Sequence, residues 1–280
     1  MAEAISAAQS LSCPPAIGSA GQIRGAIMSA LWLEPPDKAH SNGRLRDEKS
    51  PSELNRTALA RARQAAGAGA SEASIRFRVE VEKTIAFTIT GAGDVSGEDS
   101  RRRCNTNFFM NAEKVCNGRV VWEGEPGDPK AMVYGGDEES GGTGSWFITT
   151  KPNIESGGKG GFMRLGGKGA AYGPVELDAG TWEEGDGKGT WEINSALRLS
   201  NCVVPSGWLQ SERGHFDAGG ISDRTLRAAV MIAFEPYRRC YNDKTQTWAS
   251  KDHEDVARTA ALIGDIQYEA LEHWASQDCL

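Results

Sequence analysis

His215, Asp217 and the more distant His253 are the residues whose types best suit metal chemistry in this chain of 280 residues. Two neutral imidazoles and one carboxylate on one face of a rigid scaffold can hold a non-haem iron and leave positions open for substrate. The segment between them, however, carries helical periodicity rather than a barrel-strand pattern. His253 also stands among Asp252, Glu254 and Asp255 at a helix start, where a solvated imidazole is ordinary. A metal-dependent enzyme using His215, Asp217 and His253 is therefore the alternative reading, and no metal or other cofactor is expected. His273, beside Glu269 and Glu272, reads as a surface residue.

Other chemistry is excluded by spacing. The six cysteines, Cys13, Cys104, Cys116, Cys202, Cys240 and Cys279, form no C-x-x-C pair and have no histidine at zinc-finger distance,. They read as free thiols of a reducing compartment. Gly91-Ala92-Gly93 follows an apolar run, but the third glycine a dinucleotide fingerprint needs is displaced by one position, at Gly97,. The Glu98 to Arg103 stretch after it has no apolar helical face. Gly161 and Gly166 have Walker spacing, yet Gly167 stands where the lysine should be, and Lys168 is followed by Gly169 rather than by the hydroxyl residue that magnesium needs,. No G-x-S-x-G nucleophile elbow occurs.

The remaining candidates are aromatic. Trp122, Trp146, Trp182 and Trp191 recur in a glycine-rich middle region that holds 23 of the 34 glycines between positions 84 and 199. Gly144-Ser145-Trp146-Phe147-Ile148 and Gly189-Thr190-Trp191-Glu192-Ile193 are two copies of one pattern, each placing Trp and Ile on one strand face,. Such rings either fill a thin core or form an exposed platform for a sugar ring or a peptide. Trp191 is expected to share the core face with Ile193.

The order Thr90 to Asp94, Asn117 to Gly124, Met132 to Tyr134, Gly144 to Thr149 and Pro174 to Ile193 resembles a Trp/Gly-rich all-β module. That module is found in uncharacterised algal and protist proteins, often multidomain. The resemblance implies antiparallel strands and carries no catalytic or ligand residues. A longer basic insert at Ser96 to Asn107 departs from its pattern.

The elements that must position these residues follow from periodicity. Residues 1–74 read as a largely disordered segment with one helix near 51–66, opened by Ser50, Pro51 and Glu53 in a capping-box arrangement,. Residues 75–199 read as an antiparallel β module. Its first strand is expected where Ile75, Phe77, Val79 and Val81 alternate with charged residues, continuing through Ile85, Phe87 and Ile89,. Turn chemistry at Asn117-Gly118 and Asp186 to Gly189 predicts hairpins, and Lys130 to Tyr134 predicts a strand. Residues 200–280 read as helical, with one helix through Leu226 to Phe234, ended or kinked by Pro236, and a second from Ser250 to Trp274,. The fold class expected is α+β: a Trp/Gly-rich antiparallel module with an N-terminal helix and two C-terminal helices.

Charge narrows the partners. The chain carries a formal charge of -7 and a pI near 5.3, with no extended basic face for nucleic acid,. A mean hydropathy of -0.46 goes with the absence of any apolar stretch long enough to span a bilayer,. The expected function is a non-enzymatic binding or interaction module for a protein, peptide or carbohydrate. Its expected setting is intracellular and cytoplasmic, with organelle import left open by the Ser- and Ala-rich start.

Overall fold

The computed structural model describes residues 51–66, 69–93, 104–125, 127–137, 142–158, 160–166, 173–178, 180–186, 188–202, 216–217, 220–221 and 223–276. Ser50 and the expected disordered start lie outside them, as does most of the basic insert. Helix α1 spans Pro51–Ala66 and α2 spans Glu72–Ile85. The nine strands that follow form one sheet: β1 (Ala86–Thr90), β2 (Asn107–Cys116), β3 (Arg119–Gly124), β4 (Lys130–Tyr134), β5 (Trp146–Thr150), β6 (Met163–Gly166), β7 (Thr181–Gly185), β8 (Trp191–Ile193) and β9 (Arg198–Asn201). Single helical turns, α3 (Pro152–Glu155) and α4 (Pro174–Leu177), interrupt the meander. Two small hairpins, β10 (Phe216–Asp217) with β11 (Gly220–Ile221) and β12 (Tyr241–Asn242) with β13 (Thr247–Trp248), flank α5 (Asp223–Arg238). Helices α6 (Lys251–Gly264) and α7 (Tyr268–Ser276) complete the α+β architecture.

The strand expected from Ile75 to Val81 is instead α2. The same run holds a second pattern: Phe77, Val81 and Ile85 recur every four residues and are fully buried,. Ser71 starts the helix, its Oγ accepting from the Ser74 N–H,. Ile75 is buried as well, because α2 packs among α1, α5 and α6 and has little wet face. An element enclosed on several sides loses the clean one-sided stripe by which a helix is recognised. The chain turns from helix to strand without a loop, Ala86 adopting extended backbone while its N–H still donates to Glu82 O.

The strand order is β8-β7-β6-β5-β4-β3-β2-β1-β9, antiparallel throughout. β8 and β9 are thus consecutive in the chain and at opposite ends of the sheet. Five Cα steps from Ile193 to Arg198 span at most roughly 18 Å. A flat sheet of this width would separate its edges by roughly 38 Å. The sheet therefore curls until its two ends approach, giving a partly closed barrel.

The approach is fixed by a buried polar seam. The Glu184 carboxylate in β7 accepts from Gly93 N at 3.0 Å and from Asn194 Nδ2 at 2.9 Å. Asn194 Nδ2 also donates to Gly91 O at 2.8 Å, and its Oδ1 accepts from Ala196 N and Leu197 N. Gly91 is required here: its φ is +80° and a Cβ would stand 2.2 Å from Ala196 O,.

Register defines the faces. Phe87, Phe108, Met110, Trp122, Met132, Ile148 and Met163 share the inner face with α2 and α5 packed against it. The outer face carries a smaller cluster of Val121, Ala131, Val133, Phe147 and Cys116. At the C-terminal end, α5 continues to Arg238 with Pro236 inside its last turns, where losing one N–H costs a single intrahelical bond,. The continuous helix expected from Ser250 to Trp274 is two. Asp265 takes the left-handed conformation at φ 52°, and the N–H groups of Asp265 and Ile266 both reach Ala261 O, closing α6 in a Schellman-like turn,.

Candidate functional site

Three of the four candidate tryptophans are buried in the inner core. The Trp122 indole N–H donates to Thr84 O at 2.7 Å, where α2 meets β1. Its ring meets Trp146 edge-on at 5.6 Å and tilts against Phe87. Trp182 donates to Leu177 O at 3.1 Å. With their rings enclosed and these two indole N–H groups satisfied, Trp122, Trp146 and Trp182 offer no surface to a ligand,.

Trp191 stands apart, on the outer face at the end of the sheet. It pairs with Gly185 across the β7–β8 hairpin, and its ring lies against that glycine, where a Cβ would come within 3.2 Å. Arg164 stacks over the ring, its guanidinium carbon 4.5 Å from the centroid, and is itself held by the Glu183 carboxylate. Phe147 meets the indole at 6.4 Å. The expectation that Trp191 and Ile193 face the core is corrected: they share a face, but it is the outer one, and Ile193 is 64% exposed. Trp146 and Trp191 therefore sit on opposite faces although they occupy the same place in the repeated sequence. Register, not local pattern, decides the face.

The hairpin holds β8 firmly. Asp186 Oδ1 accepts from Lys188 N at 2.7 Å and Thr190 N at 3.0 Å. The Lys188 backbone N–H, with that of Thr190 after it, holds the Asp186 carboxyl below the usual carboxylate range. Asp186 N also bonds Thr190 O, and Asn194 N bonds Trp182 O. These bonds place residues 190, 192 and 194 as the ladder partners of β7. The backbone N–H and C=O of Trp191 and Ile193 consequently point away from the sheet, and β8 has no strand on that side among the described residues,. Glu192 is exposed on the inner side of this open edge.

Elsewhere, a groove of about 360 Å³ runs between α2, α5 and α6, lined in part by Arg76, Tyr237, Asp252 and His253. The Tyr237 hydroxyl donates to the Glu80 carboxylate, 2.8 and 3.0 Å from its two oxygens. Burial raises Glu80 above its ordinary value, against the opposing effect of that hydrogen bond. Burial, then the Glu80 charge, pushes the Tyr237 phenol well above the usual range. The phenol is thus held protonated and committed to Glu80. His253 Nδ1 lies 2.8 Å from Ser250 Oγ at the α6 cap. These groups pack helices together and do not form a nucleophile and base. A second depression of about 420 Å³ lies beside Ser71, Ser74, Lys251 and Arg258, with Arg258 engaged by Glu254 and stacked on Tyr268. The Arg78 guanidinium is buried, and its Nε and Nη1 have no hydrogen-bond partner. Burial lowers its pKa while nearby Glu82 opposes the shift.

The metal alternative gains no geometry. His253 lies in the first turn of α6 and the Asp217 backbone in the small β10–β11 hairpin, while His215 falls outside the described residues. Among the described residues no group of three or more His, Cys, Asp or Glu is arranged to hold a metal ion. Cys104, Cys116 and Cys202 are buried thiols outside any disulfide, and burial pushes Cys116 and the half-buried Cys240 up in pKa. Among the same residues no helix is long and apolar enough to cross a membrane.

Comparison with family models, with curated proteins and with solved structures found no match.

Proposed function

We propose that this chain is a non-catalytic recognition module that binds a protein or peptide segment at the open edge and outer face of β8. The observation that carries the reading is the placement of Trp191 and Ile193. Three core tryptophans are enclosed, whereas Trp191 is only partly buried, beside an Ile193 that is 64% exposed, on a strand whose outer backbone groups are unpaired among the described residues. An isolated exposed isoleucine is ordinary, but one placed beside an aromatic ring and a free ladder edge is a recognition surface. Polypeptide is favoured over carbohydrate as the partner, because Arg164 and Gly185 already occupy much of the flat indole surface that a sugar ring would need.

The test is selection from a displayed random-peptide library against the purified protein, with a glycan array in parallel. Enriched peptides should bind the parent and lose at least about tenfold in affinity to a folded Trp191→Ala/Ile193→Asp variant, the loss expected when a central aromatic contact is removed. Glycan binding without peptide enrichment, or peptides indifferent to the double variant, would reject the reading.

A further inference from the structure

Among the described residues, β8 ends the sheet with an asymmetric edge: Trp191 and Ile193 direct their N–H and C=O groups away from the sheet and carry apolar side chains on its outer face, and the acid between them faces the other side. We propose that this edge takes an extended segment as an added antiparallel strand, and that the segment carries a basic residue between two apolar ones. The inference rests on the recognition reading above and specifies its ligand. In an added antiparallel strand, the residues opposite Trp191 and Ile193 each exchange both hydrogen bonds with β8. The residue opposite Glu192 makes none, and its side chain lies against the carboxylate. The two flanking side chains fall on the outer face, over the exposed Ile193 and the Trp191–Arg164 stack. A basic residue opposite Glu192 is therefore favoured by charge, and apolar neighbours are favoured by the surface they cover.

The same geometry disfavours a second copy of this chain. Symmetric antiparallel pairing of β8 with itself would set Trp191 opposite Ile193 of the other copy, which is apolar and suitable. It would also set Glu192 directly opposite its own copy, at the close spacing of a non-hydrogen-bonded pair, where like charges repel. The acid at the centre of the edge thus selects against self-association and for a segment of opposite charge.

The probe is the acetylated, amidated pentapeptide Thr-Val-Lys-Val-Thr, compared with Thr-Val-Glu-Val-Thr, in titrations followed through the backbone amide signals of the full chain. The lysine peptide should shift the Trp191 and Ile193 amides and bind about tenfold more tightly than the glutamate peptide, the difference between an attractive and a repulsive cross-strand pair. Glu192→Lys, a surface change that leaves the fold intact, should reverse the preference. N-methylation of both valines should abolish binding, whereas N-methylation of the lysine should not. Equal binding of the two peptides, or tolerance of N-methyl valine, overturns strand addition even if library-selected peptides still depend on Trp191. Dimerisation of the parent in sedimentation, lost in Ile193→Asp, would assign the edge to a second copy and overturn the proposal. Failure of every peptide, selected or designed, rejects the recognition reading together with it.

Discussion

Two tryptophans on opposite faces of one sheet do opposite work. Trp122 fills the inner core and its indole N–H is bonded to Thr84 O, so Trp122→Ala removes a large ring and orphans a buried carbonyl. The expected loss is about 3–5 kcal/mol. Trp191→Ala should cost only about 1–2 kcal/mol, since the ring is partly buried in a satellite cluster,. Thermal melts of both variants beside the parent check the contrast, and equal losses would contradict the assignment of faces. Glu80 gives a second residue-scale expectation. Its folded pKa is raised, chiefly by burial, so the native state holds its proton to higher pH than the unfolded chain does. Its contribution is complete below the unfolded value of about 4.3 and is lost as pH rises through the folded value. Glu80→Gln should flatten the stability profile across that window, as measured by denaturant titrations at successive pH values. The enclosed nature of Trp122, Trp146 and Trp182 was one of two readings open in the sequence. The side of the sheet on which Trp191 lies was not legible there, because it depends on the register of β7 and β8 rather than on any nearby residue.

At the scale of elements, hairpins were more legible than helices with no wet side. Asn117-Gly118 joins β2 to β3 with both residues at positive φ, 50° and 76°, as a tight primed turn requires,. Lys130–Tyr134 is a strand with the bounds its apolar run implies. The segment that became α2 was not legible, because alternation and fourfold recurrence coexist in Ile75 to Ile85 and tertiary packing chose between them. That choice leans on the cap: Ser71→Ala should cost about 1 kcal/mol, and circular dichroism with chemical denaturation can measure it. No loss at all would mean that packing alone fixes the helix start. The break at Asp265 was missed for a related reason. Apolar residues keep helical spacing across it, and the left-handed turn is taken by an aspartate where a glycine would have signalled it.

For the whole molecule, the closure of the sheet is the property least visible in the sequence, since it joins Gly91, Gly93, Glu184 and Asn194 from distant positions. Asn194→Ala should cost about 2–3 kcal/mol by leaving buried partners unsatisfied. Asn194→Asp should cost more at neutral pH, because it sets a second carboxylate beside Glu184, and acidification should relieve part of the difference. Identical pH profiles for the two variants would argue that the seam does not hold the barrel ends together. Closure also explains why an edge remains to be used. The curl brings β8 near β9 without pairing them, and α1 packs against β9 while β8 keeps exposed side chains.

Amide hydrogen exchange at β8 tests the central claim most directly, because it reads the strand edge residue by residue. In the free protein the Glu192 N–H, bonded within the β7–β8 ladder, should exchange slowly, and those of Trp191 and Ile193 should exchange quickly,. A saturating library-selected peptide should slow Trp191 and Ile193 specifically. If bound peptide left both amides fast and protected the Tyr237 groove instead, the β8 edge would not be the recognition site.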